Sequence, residues 1–281
     1  QTIAADDIVE GENTIEVIYG EFSNSTTFNA VKKVEEIIIV VQYENMWLNE
    51  PNSVTVTIPE ATGNVSIKVN GREIATPELS EGSVTQTIEI SDMINGENTV
   101  EVTYDGFTNS TTFNAQDNVV TPENFEKFFD EDGFIQSDVP FDELIFKGEF
   151  DAPADYLIIE QPVSIIGDNA VLNNMGVVIA SDEVKLDKLN FTADSSLGSL
   201  IMVQGSDVDL TNLDIVYSAG SEEAIAIDIM DCSDVRLLNS TVFFESHVPD
   251  DSVKAVAVQA VNTQNVLIDG NNITTKLPCV Y

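Results

Sequence analysis

Five short runs share one pattern, and it limits the fold more tightly than any other feature of the chain. The pattern is Val, any residue, Ile or Leu, a turn position, then an apolar residue. The copies are VSIIGDNA from Val163, VKLDKLNF from Val184, VDLTNLDI from Val208, VRLLNSTV from Val235 and VLIDGNNI from Val266, with starts 21, 24, 27 and 31 residues apart. Units of this length bury an apolar face only by stacking on one another. Uneven spacing fits strands that must stack while the loops between them swell on the surface. A further apolar segment precedes each of the later four copies, at 177–179, 200–203, 224–229 and 255–261. The expected architecture over 157–281 is a right-handed parallel β-helix. Gly167, Lys188, Asn212, Asn239 and Gly270 fill the fifth place of the copies. Gly and Asn tolerate a left-handed corner there, and Lys188 is the strained exception.

Register assigns the charged residues. With each Val turned inward, the following position points out and stacks Ser164, Lys185, Asp209, Arg236 and Leu267 at the strand spacing of about 4.8 Å. The preceding position gives a second, acidic row of Glu183, Asp207, Asp234 and Asn265. Asp207, Asp209 and Asp234, with Lys185 and Arg236, are therefore the candidate binding residues for a sugar or a cation. Asp207, Asp209 and Asp234 could supply oxygen ligands to Ca²⁺, although the dense Asp and Gly repetition of dedicated Ca²⁺ loops is missing. No metal-ligand set and no cofactor motif is otherwise visible. Parallel β-helices also carry polysaccharide lyases and hydrolases, which need a base or paired carboxylates. In this register Arg236 and Lys185 read as neutralising partners of acidic neighbours, so no catalytic residue is assigned.

A second repeat lies upstream. IVEGENTIEVIYGEFSNSTTFNA at 8–30 matches MINGENTVEVTYDGFTNSTTFNA at 93–115, identical at 15 of 23 positions. Period-2 alternation at Val54, Val56 and Ile58, at Val65, Ile67 and Val69, and at Val100, Val102 and Tyr104 marks strands with one buried face. Asn70-Gly71 suits a tight hairpin. The reading is all-β: a complete immunoglobulin-like β-sandwich over 31–115, preceded at 1–30 by the C-terminal part of a truncated copy. No Cys pair lies inside the sandwich. Thr121-Pro122 followed by Phe125, Phe128 and Phe129 predicts an N-capped helix near 122–130. Residues 116–156 would then be the linker and N-terminal cap of the β-helix.

With both repeats in place, the chain resembles the adhesin-like surface proteins of methanogenic archaea, which combine β-helix regions with tandem immunoglobulin-like modules. The motifs that carry the resemblance are ATGNVSIKVNG (61–71), GENTVEVTY (96–104), FDELIFKGEF (141–150) and VSIIGDNAVL (163–172). It implies attachment at the cell surface, with a glycan or a host or partner cell as the partner, and it carries over no catalytic residue.

Composition agrees with an extracellular setting. Forty-nine acidic against 11 basic residues leave a formal charge of −38, which repels nucleic acid and anionic lipid surfaces. No run is long and apolar enough for a membrane span. Cys232 and Cys279 are too few for a disulfide framework and read as free thiols. Gln1 begins in strand-like sequence without a signal peptide, and Cys279 to Tyr281 reads as the opening of another strand, so a fragment truncated at its C-terminal end is expected. Sequons at Asn24, Asn64, Asn109, Asn190, Asn239 and Asn272 suit an exported glycoprotein. Asn190 and Asn272 also fit a structural turn ladder with Asn169 and Asp214. His247, the only histidine, reads as a loop residue, and Trp47, the only tryptophan, as packing at a module junction.

Overall fold

The computed structural model describes residues 3, 7–9, 11–30, 36–194, 197–219, 223–246 and 254–276. It divides into two compact units, Gln1–Ala115 and Gln116–Tyr281. With 62% strand and 3% helix, nearly all burial must be argued from sheets.

In the first unit a three-stranded antiparallel sheet (Ser83–Ile88, Asn52–Thr57, Ile38–Val41) and a five-stranded sheet (Asn45–Trp47, Phe107–Gln116, Gly96–Tyr104, Ser66–Val69, Arg72–Ala75) share one core. Alternation builds it. Val54, Val56 and Ile88 come from one sheet, and Ile67, Val100, Val102 and Phe113 from the other, each at most 1% exposed. Asn70 and Gly71 both have positive φ, 52° and 79°, which closes the 66–75 hairpin in the twist that two-residue turns favour. Trp47 is half-buried in the edge strand Asn45–Trp47. Among the described residues a separate hairpin, Gly11–Tyr19 with Phe22–Ala30, forms its own two-stranded sheet.

The second unit is a curled parallel sheet assembled in rungs of three strands. The rungs are Gly176–Ile179, Lys185–Asp187 and Asn190–Ala193; Ser199–Val203, Val208–Thr211 and Asp214–Ala219; Glu223–Met230, Val235–Leu238 and Thr241–Ser246; and Lys254–Val261, Leu267–Asp269 and Asn272–Lys276. Each strand pairs in parallel with its counterpart one rung later. Ahead of them, Ser164–Asn173 is one long strand. Its first half pairs with Lys185–Asp187 and its second half with Asn190–Ala193, which bends the sheet on itself. Inward rows are uniformly apolar: Ile165, Leu186, Leu210 and Leu237 are each 0% exposed. The pattern read from the sequence was thus two strands bent at a corner.

Backbone conformation explains which residues occupy the corners. Lys188, Asn212, Asn239 and Gly270 have φ of 57°, 53°, 52° and 68°. Their row keeps the ladder intact, with Lys188 N donating to Thr211 O at 3.1 Å and Asn212 N to Leu238 O at 3.0 Å. Gly167 does not belong to this row. The first copy holds two more residues than the others between the paired positions Ile166↔Asp187 and Val171↔Asn190, so its left-handed residue is Asn169 at φ 57°. Gly167 is glycine for another reason, because a Cβ there would lie 2.1 Å from Lys188 O. The same two residues remove Asn169 from the row of Asn190 and Asp214, in which the first copy contributes Val171 instead. Lys188 is exposed and carries the left-handed strain without glycine's freedom. Lys188→Asn is therefore expected to raise stability by about 1 kcal/mol, seen as a higher urea midpoint with an unchanged slope.

One end of the stack is closed by aromatic rings. Val119–Val120 pairs in parallel with Glu143–Asp151, which in turn pairs with the first long strand. The helix is a single turn, Phe125–Phe128, shorter than the expected 122–130. Its N-cap is Asn124, without a side-chain cap bond, and not Thr121. Asn124 instead turns back, accepting from Thr121 N at 2.6 Å and donating to Val119 O at 2.9 Å. Phe129 meets Phe125 at 4.8 Å and Phe146 at 5.8 Å, and Phe146 meets Phe150 at 5.1 Å.

Candidate functional site

The outward row runs Glu143, Ser164, Lys185, Asp209, Arg236 and Leu267 in direct register, the order that the repeat spacing gives. Within it Arg236 grips Asp209 with both ends of its fork: Nε bonds Oδ1, and Nη2 bonds Oδ2 at 2.6 Å. The Asp209 hydrogen bond and charge raise the Arg236 pKa further above its ordinary value. A guanidinium held this way is a poor base. Lys185 leaves the row and pairs with Asp187 on its own strand at 3.5 Å.

The acidic row before each Val needs correction. Glu183, Asp207, Asp234 and Asn265 are not strand positions beside an inward Val. They are left-handed corners, with φ of 58°, 54°, 59° and 54°. Asp and Asn are enriched in that conformation because their short polar side chains tolerate it, so the backbone accounts for the residue types before any ligand does. Amides of this row continue the ladder, Asp207 N to Ser233 O at 3.1 Å and Asp234 N to Gln264 O at 3.0 Å.

A different arrangement emerges where carboxylates stack. Asn173 donates to Asp151 at 2.8 Å, Asn212 to Asp187 at 2.7 Å, Gln259 to Asp228 at 3.0 Å, Asn262 to Asp231 at 3.1 Å and Asn265 to Asp234 at 3.0 Å. In every pair the carboxylate comes first and the amide reaches it from the next layer of the stack; Asp151 with Asn173 and Asp228 with Gln259 are paired strand positions, whereas Asp231 with Asn262 and Asp234 with Asn265 are left-handed corners. The amide is a neutral donor that satisfies a carboxylate without a counter-charge. Asp187, 7% exposed, shows the balance: burial pushes its pKa up, but hydrogen bonds from Asn212 and Thr211 and the Lys185 charge outweigh that and lower it. Asp228, 4% exposed, receives Gln259 and Ser199. Hydrogen bonds from Ser233 and Asn265 lower the pKa of Asp234. Sequence reading placed Asp234 and Asn265 in one row but missed the other four pairs, because one partner of each lies in a strand or corner outside the five copies or in a different place within them.

The candidates are thus dispersed. Asp209 is committed to Arg236 and Asp234 to Ser233 and Asn265, while Asp207 occupies its own exposed corner. Among the described residues no three His, Cys, Asp or Glu side chains converge as a metal-binding group, and no helix is long and apolar enough to cross a membrane. Two sequon side chains are engaged in the fold: Asn109 donates to Ile37 O at 2.7 Å and Asn190 to Ala170 O at 2.9 Å. Asn24, Asn64, Asn239 and Asn272 are exposed. Cys232 carries a free, buried thiol whose pKa is raised chiefly by burial. Cys279 and His247 lie outside the described residues.

Compared with family models, curated proteins and solved structures, the chain matches none of them.

Proposed function

We propose that the chain belongs to an extracellular, adhesin-like cell-surface protein of the kind its motifs resemble. In this reading the second unit is a right-handed parallel β-helix, and the first is an immunoglobulin-like sandwich acting as a spacer. The observation that carries it is the outward row of residues held in fixed register from rung to rung. A surface repeated at strand spacing suits a ligand that is itself repetitive, such as a wall polymer or a host glycan. Weak contacts multiplied along it gain from avidity. The acidic, amide-satisfied exterior suits a solvated, crowded or saline surroundings, and the Arg236–Asp209 pair argues for a structural use of the strongest base in the row.

The test is a glycan array and a polyuronate-cleavage assay run on the same protein. Binding of at least one glycan class, stronger by about 10²-fold or more when the protein is displayed in many copies, is expected without cleavage. Unsaturated product lost on Arg236→Ala would replace this reading with a lyase. Neither binding nor cleavage in the multivalent format would leave a structural stalk. The melting temperature is expected to be the same in chelator and in millimolar Ca²⁺.

A further inference from the structure

On one flank of the stack the polar side chains are left without the amide partners found elsewhere. Its strands Asn190–Ala193, Asp214–Ala219, Thr241–Ser246 and Asn272–Lys276 hold Asn190, Asp214, Thr241 and Asn272 in direct register. Asn190 lies one rung from Asp214, but its amide turns back to Ala170 O at 2.9 Å. Among the described residues, no hydrogen bond or ion pair engages the side chains of Asp214, Thr241 or Asn272, and all three are exposed. Their donors and acceptors are open to a ligand. Two residues further along the same strands runs an apolar row, in which Val216 pairs with Phe243. Val216 is 41% exposed and Phe243 is half-buried. Both sit on inner rungs with a paired strand on each side, so their exposure is not that of an open end of the stack.

Asp214, Val216, Thr241 and Phe243 therefore form a tile, about 4.8 Å between rungs and about 6.6 Å along the strands. One edge offers hydrogen bonds and the other a ring and an isopropyl group. A sugar presents the matching pair of surfaces. Its C–H face is drawn to the negative face of an aromatic ring, and its hydroxyls take a few fixed donors and acceptors. Charge narrows the class. Asp214 and Glu245 project from this flank, with Lys276 in register beside Glu245, on a chain of formal charge −38, which repels an anionic polymer. We propose that this face binds an uncharged polysaccharide lying along the stack. The proposal rests on the glycan-binding reading above and gives the ligand a different face from the charged row, whose Arg236 is already spent on Asp209. Lys276 Nζ rests 5.1 Å from the Phe243 ring centroid, an exposed contact that a bound sugar replaces.

Bacterially expressed protein, which carries no glycan of its own at the Asn190, Asn239 and Asn272 sequons, is displayed in many copies against neutral glucans, mannans and galactans and against polyuronates. Binding to a neutral polymer is expected to weaken at least about tenfold with Phe243→Ala and with Thr241→Arg. It should stay unchanged with Phe107→Ala, an exposed ring of the first unit. Thr241→Arg blocks the face without removing a packed group, so it carries the test if Phe243→Ala fails to fold. Binding of polyuronates alone, or neutral binding that survives both Phe243→Ala and Thr241→Arg, overturns this site and leaves the glycan reading in place. Absence of binding to every polymer overturns both.

Discussion

Gly205→Ala is expected to destabilise the second unit by about 3 kcal/mol, the upper part of the range for overpacking. A Cβ at Gly205 would lie 1.8 Å from Ser181 O and 2.4 Å from Ser181 C. These are backbone atoms, and they sit where two rungs are tied together: Gly205 N donates to Ile179 O at 3.1 Å and Ser206 N to Asp182 Oδ1 at 2.7 Å. Relief requires the rungs to part. Gly198→Ala is the control, since nothing lies within 4 Å of a Cβ there, and a change within about 0.5 kcal/mol is expected. Urea titration followed by far-ultraviolet circular dichroism measures both. Trp47, the only tryptophan, lies in the first unit, so its fluorescence transition should stay in place while the dichroism transition moves.

The second large effect is at the aromatic end. Phe146→Ala should cost about 3–5 kcal/mol, because Phe146 is 0% exposed and contacts both Phe129 and Phe150. Its strand position faces Gly167, which has no side chain to fill the space left behind. Limited proteolysis should then begin within 116–150, with later rungs cut more slowly. Phe107→Ala, at a position 48% exposed, should leave stability nearly unchanged. Similar losses for the two would mean that the aromatic cluster does not hold the end of the stack.

The repeat made the second unit legible. Five Val-centred copies gave the order Ser164, Lys185, Asp209, Arg236 and Leu267, because side chains in a parallel ladder must follow the pairing register. Position-by-position alignment failed at Gly167, since two extra residues in the first copy shift the corner without disturbing the pattern on either side. It failed again at Glu183, Asp207 and Asp234. An acidic row on a strand and an acidic row of left-handed corners look alike as letters, and only φ separates them. The amide partners of the carboxylates, Asn173 on Asp151 and Gln259 on Asp228, were hidden because they join places whose separation grows with each loop. In the first unit the alternating valines announced the core, and the repeat announced the second hairpin, whose register and Asn13 bonds match those of Asn98 in the other copy.

The stacked amides give the exterior a chemical lifetime. Asn212, Asn262 and Asn265 each hold a carboxylate one rung earlier, and hydrolysis of one side-chain amide turns a donor into a second anion of nearly the same shape. Attraction becomes repulsion between like charges at hydrogen-bond distance. Each such event adds one mass unit and loosens the two rungs that the amide had joined.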